Sequence, residues 1–115
     1  MEEEENGISI CAYNLENMGL SYVGELYYEE GDTERRVIIL KNAIVRIMKA
    51  KQSADKSAPP VMETGYTRVP LSGRDSTVHI DTRVIKGVLV KDIDQDEAAE
   101  YRSANTRLHS KLHLA

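Results

Sequence analysis

The chain has 115 residues, 41% of them hydrophobic and 30% charged, with six tyrosines, no Phe, no Trp and a formal net charge of -4. That length suits one domain with one core, which aliphatic residues and tyrosines must fill. The longest apolar runs, such as Val37-Ile38-Ile39-Leu40, fall far short of the roughly 18 residues of a membrane span. Four glutamates follow Met1 where a secretory leader is basic and then apolar, so a cytoplasmic location is expected.

In chain order, residues 1–7 are acidic, self-repelling and end in glycine, which predicts a disordered start. Residues 8–13 alternate in part and predict a first strand, with Cys11 as a small buried thiol. Residues 20–28 alternate clearly, Leu20, Tyr22, Gly24, Leu26 and Tyr28 against Ser21, Val23, Glu25 and Tyr27. Gly24 within that strand predicts a bulge or sharp bend. Residues 29–34, with Gly31-Asp32, predict a hairpin turn. Residues 36–49 are rich in β-branched side chains and predict the strongest strand, bent at Asn42. Residues 50–75 carry Pro59-Pro60, Gly65, Pro70 and Gly73 among polar residues and predict a long loop, with a short strand near 66–71. Residues 77–80 and 83–90 predict two more strands. A helix is expected over residues 95–112, capped by Asp94, with Tyr101, Ala104, Leu108 and Leu112 on one face and Glu100, Arg102, Asn105, Arg107 and Lys111 on the other. The fold class is therefore mainly β with a C-terminal α-helix, in a single domain over residues 8–115.

Catalytic signatures are missing. There is no glycine loop with Lys-Ser or Lys-Thr, no Gly-x-Ser-x-Gly and no His-Glu zinc motif. His109 and His113 lie four apart on the predicted helix, but no third ligand accompanies them. Binding without catalysis, metal or cofactor is the expectation. Charge shows what kind of binding. Residues 1–34 hold ten acids and no Lys or Arg, residues 35–91 twelve bases against four acids, and residues 92–115 three bases against five acids. Such a basic block attracts anions locally within an acidic whole. Phosphates favour its cations and nucleobases favour tyrosine faces. The candidate ligand contacts are Arg35, Arg36, Arg46, Tyr66, Arg68 and Arg74, with the segment from Lys51 to Arg74 as a lid. Tyr22 and Tyr28 share a face with Leu20 and Leu26 and are expected in the core, Tyr27 and Tyr66 at the surface.

Tyr22-Val23-Gly24-Glu25-Leu26, followed by Val37-Ile38-Ile39-Leu40-Lys41-Asn42-Ala43, resembles the first half of the Sm-like small barrel, where a Gly-x-Leu strand leads to a Leu-x-Asn-Ala strand end. Residues 83–90 would supply the closing strands. The chain is also similar to short Sm-like proteins of tailed bacteriophages, which carry a long polar insertion and an acidic-tipped C-terminal helix. It departs from the Sm-like pattern in ending, not beginning, with its helix, and in showing Lys86-Gly87 where Arg-Gly is usual. The resemblance spans about residues 20–110 and implies a small Sm-like or SH3-like β-barrel and a homo-oligomeric ring built by strand pairing. In a phage-encoded protein the compartment would be the host cytoplasm.

Three functions follow as expectations. The first is an anti-defence protein that sequesters a small, cyclic nucleotide immune signal between subunits, because a small anion needs few cations whereas the acidic N-terminal segment repels a long polyanion. The second is an Sm-like ring binding single-stranded RNA. The third is a structural or adaptor protein that binds another protein.

Overall fold

The computed structural model describes residues 9–51, 57–69 and 76–114, with side chains through residue 109. Among the described residues six strands and one helix follow one another: β1 (Ile10–Leu15), β2 (Leu20–Tyr28), β3 (Val37–Lys51), β4 (Val61–Arg68), β5 (Val78–Asp81), β6 (Gly87–Val90) and α1 (Gln95–Leu114). They form one antiparallel open sheet of order β4-β3-β2-β1-β6, with β5 also paired to β3. Because β2 occupies one edge of β3, the other edge serves two partners in succession: β5 along residues 37–40 and β4 along residues 44–51.

The joint between those two halves is the bulge that Gly24 foreshadows. Val23 pairs with Ile44 and Glu25 with Lys41, so Asn42 and Ala43 together oppose Gly24. Asn42 takes the left-handed φ of 52° that such an irregularity demands, and its side-chain amide donates to Glu25.

Around the first two thirds of β3 both faces of the sheet are covered, which is why residues 37–40 and 43–45 read as unbroken apolar runs. On one face Ala12, Val23 and Ile44 pack under Tyr101 and Ala104 of α1. On the other, Tyr13, Ile38, Leu40, Ala43 and Ile80 form a second cluster, with Tyr22 and Tyr28 against it as expected. Burying aliphatic side chains of this size contributes about 1.5–3 kcal/mol each. Ile85 also packs against the second cluster, and its carbonyl accepts a hydrogen bond from Tyr13 Oη. Cys11 is fully buried, and that burial pushes its thiol pKa up.

The helix begins where its cap predicts: Asp94 Oδ1 accepts from Glu97 N at 2.8 Å. None of the described helical residues form a helix long and apolar enough to cross a membrane.

Four expectations are corrected. The first strand runs over Ile10–Leu15, so Ser9 is not strand and its end lies two residues beyond the expected Tyr13, while Ile8 lies outside the described residues. The segment 50–75 is not one long loop, since β3 continues to Lys51 and β4 spans Val61–Arg68. Most of β4 is exposed, and an edge strand without cover needs no apolar alternation, so periodicity hid it. Its pairing with β3 also fixes Val61–Arg68 in the sheet, where a lid over residues 51–74 was expected. Finally, residues 83–86 are not strand. Val84 N and Ile85 N both donate to the Asp81 carbonyl, while the Asp81 carboxylate holds Arg83, making a tight turn before β6. Residues 1–7, expected to be disordered, lie outside the described residues, as does Arg74.

Candidate functional site

Strand register places one residue from each of five strands in a row across the α1 side of the sheet. One row is Val90, Ala12, Val23, Ile44 and Arg68; the next is Val88, Asn14, Ser21, Arg46 and Tyr66. In the first, Ala12, Val23 and Ile44 form the apolar floor beneath α1, and the row ends in a cation. The second is polar apart from the exposed Val88, and its Arg46 and Tyr66 meet Glu97 and Glu100 in the first turns of the helix.

Arg46 is the centre of the polar row, its side chain only 12% exposed. One guanidinium nitrogen, Nη2, lies 3.3 Å from Asn14 Oδ1 and 3.5 Å from Ser21 Oγ, and Ser21 Oγ itself donates to Asn14 Oδ1. The other, Nη1, meets Glu97 of α1 at 3.6 Å, and Nε is buried without a hydrogen-bond partner among the described residues. A desolvated cation balanced by one loose carboxylate is costly to break and contributes little net stability. Its effect here is to fix the start of α1 over the sheet.

Beside it, on edge strand β4, Tyr66 Oη donates to Glu100 Oε1 at 2.9 Å. Burial first, then that hydrogen bond and the Glu100 charge, push the Tyr66 phenol up to about 12, so it remains a neutral donor at physiological pH. Tyr66, Ala99, Glu100, Ser103, Ala104 and Arg107 line an open cleft of about 380 Å³ between β4 and α1, a size within the roughly 300–1,000 Å³ of small-molecule sites. The small side chains of Ala99, Ser103 and Ala104 leave the room. Arg68 follows Tyr66 by two residues on the same face of β4, exposed and without an ion pair among the described residues.

Of the six candidate contacts, the structure brings three, Arg46, Tyr66 and Arg68, to neighbouring positions of β3 and β4, and of these Tyr66 alone lines the cleft. Arg35 and Arg36 lie at the opposite end of β3. Arg35, at φ 56° in the turn before the strand, stacks its guanidinium 4.8 Å from the Tyr28 ring centre, and Arg36 pairs with Glu34. About 33 Å of extended strand separates Arg36 from Arg46, so the basic block is spread along β3 and does not form one surface. Lys41 likewise covers Tyr27, at 4.5 Å.

Sequence reading missed Glu97, Glu100, Ser103 and Arg107 as neighbours of Tyr66. The signal was the stripe Ala99, Ser103, Arg107 at spacing four, two small residues and then a cation, beside Glu100 on what looked like a solvent face. Elsewhere, a second pocket of about 250 Å³ on the opposite face is lined by Leu15, Leu20, Tyr22, Val45, Ile47 and Thr67 and is almost wholly apolar. His109 Nε2 lies 3.0 Å from Ser76 Oγ, and no group of three metal-ligating side chains occurs among the described residues.

Compared with protein-family models, with curated proteins and with solved structures, the chain matches none.

Proposed function

We propose that this chain is a non-catalytic binding protein: an Sm-like small barrel that works as a homo-oligomer and captures a small nucleotide in the cleft between β4 and α1. The observation that carries the reading is the cleft itself, an aromatic wall at Tyr66 with Arg107 in its lining and Arg68 nearby, on a strand whose outer edge has no partner strand among the described residues.

The Sm-like part rests on where the resemblance residues lie. Leu26 pairs with Leu40 and Glu25 with Lys41, and Gly24 meets Ala43 at the bulge, so the two quoted stretches form one continuous contact. Oligomerisation rests on the outer edges of β4 and β6, the two ends of the strand order, which have no partner strand among the described residues. An exposed edge strand is a template for another chain, and these carry exposed Val61 and Met62 on β4 and Val88 and Val90 on β6. Lys86 and Lys91 flank β6, while Glu63 stands on β4 in a loose pair with Lys51, so a β6 edge from one copy can meet a carboxylate on the β4 edge of the next. Head-to-tail contacts of this kind give a ring where the rotation between copies closes, the form that the resemblance implies. Each seam would border the cleft and add lysines to it. A few cations among carboxylates suit a small anion better than a long polyanion. With the likeness to phage barrels, the cargo becomes a cyclic oligonucleotide immune signal and the protein an anti-defence sponge.

The test combines native mass spectrometry with thermal shift against mono-, di- and cyclic oligonucleotides and a short single-stranded RNA, at low and moderate salt. An oligomer whose midpoint rises with one small nucleotide, by about 2.7 kcal/mol of stabilisation at a hundredfold excess over Kd, supports the proposal. Stabilisation by RNA alone that fades with salt replaces it with an RNA ring. A monomer silent to the whole panel overturns it and leaves a protein-binding role.

A further inference from the structure

Resting on that reading of the cleft, we infer that the base it holds is guanine. A planar base lying against the Tyr66 ring meets the carboxylate of Glu100, which is fixed in place by the phenol at 2.9 Å through Oε1. No other hydrogen bond engages that carboxylate among the described residues. An ionised carboxylate only accepts. Guanine alone of the four common RNA bases offers two adjacent N–H donors, N1–H and the N2 amino group, which match a carboxylate as a fork. Adenine and cytosine each set one amino donor beside a ring-nitrogen acceptor, and uracil flanks its one N–H with two carbonyls. Each therefore aims a lone pair at Glu100.

The charge along α1 orients the ligand in the same sense. Asp94, Asp96, Glu97 and Glu100 occupy the cap and the first turns, and Arg107 lies seven residues beyond Glu100. At 1.5 Å per residue this is about 10 Å along the axis, of the order of the span from a nucleobase edge to its 5′-phosphate. Carboxylates repel phosphate from the first turns, while Arg107 receives it at the far end of the cleft. Base at Glu100 and phosphate at Arg107 is the arrangement in which every charge meets its complement.

The experiment is calorimetric titration of the whole chain with GMP, IMP, AMP, CMP and UMP, each followed by thermal shift. GMP is expected to bind about 10- to 100-fold more tightly than AMP, with IMP, which lacks the N2 amino group, between them. In Glu100→Gln, whose amide still reaches Tyr66, the preference collapses while nucleotides are retained. In Arg107→Ala, all five weaken alike and the preference survives. Both residues are exposed, and unchanged circular dichroism verifies that the variants fold. AMP binding as tightly as GMP, or a preference that persists in Glu100→Gln, overturns guanine recognition and leaves nucleotide capture standing. No binding of any mononucleotide or cyclic oligonucleotide overturns both.

Discussion

Gly24 and Ala43 touch backbone to backbone across the β2–β3 ladder: a Cβ built on Gly24 would lie 3.2 Å from Ala43 Cα and 2.9 Å from the Lys41 carbonyl oxygen. Both obstacles are main chain, so neither can rotate away. Gly24→Ala is expected to cost about 1–3 kcal/mol through this overpacking, read as a lower urea midpoint at unchanged slope. Gly65→Ala is the control, since a Cβ there meets nothing within 4 Å, and its change should stay within about 0.5–1 kcal/mol. Equal effects at the two glycines would show that the close approach does not govern stability.

Tyr101 joins the helix to the same joint. Its ring is 2% exposed between the sheet and α1, and its hydroxyl donates to the Asn42 carbonyl at 2.6 Å. Tyr101→Phe keeps the ring and strands that carbonyl, at a cost of about 1–2 kcal/mol. Tyr101→Ala opens the core under α1 and should cost about 3–5 kcal/mol. Chemical denaturation of the two variants would separate the hydroxyl from the ring, and a phenylalanine variant as weakened as the alanine one would contradict this division.

The residues that announced themselves in the sequence are those whose own chemistry decides their place. Gly24 reads as a bulge because a strand seldom tolerates glycine otherwise, Asp94 reads as a cap, and the β-branched run of β3 reads as the strongest strand. Tyr66 and Arg46 carry separate signals, one for stacking and one for charge. Their adjacency was not legible, because it follows from the register of β4 on β3, and β4 has no apolar alternation to reveal it. Glu100 and Arg107 belong to the cleft only because α1 crosses β4, a tertiary relation without a local signature. The opposite error arose with Arg35 and Arg36, where closeness in sequence suggested a shared surface that an extended strand pulls apart.

Titration of Tyr66 provides an alkaline test. Its ordinary phenol value of 10.0 rises to about 12 in the fold, with burial as the leading cause. A raised value means that the protonated form is favoured on folding. That contribution is therefore fully present below pH 10 and is lost as pH climbs through about 12. The stability gap between the native chain and Tyr66→Phe should be constant at neutral pH and shift against the native chain above pH 10, followed by denaturation at a series of alkaline pH values. Tyr101, raised first by burial, titrates late as well, but it is common to both proteins and cancels in the difference. A gap that does not move with pH would place Tyr66 in water.

At acid pH the corresponding group is Asp32, in the turn between β2 and β3. Its carboxylate accepts from the backbone N–H groups of Val37 at 3.0 Å and Arg36 at 3.1 Å, and these bonds hold its pKa below the ordinary 3.8. A lowered value favours the ionised form on folding, so the contribution is present above pH 3.8 and is lost as pH falls through the folded value. Asp32→Asn removes the titration but keeps one acceptor. The native chain should therefore be the more stable of the two near neutrality, with its advantage shrinking as pH drops below 3.8. Asp81, lowered chiefly by its hydrogen bond to Arg83, titrates in the same direction in both proteins and leaves the comparison intact. Urea midpoints measured from neutral to strongly acid pH would detect the convergence. Parallel curves would mean that the Asp32 carboxylate is as well solvated in the folded turn as in the unfolded chain.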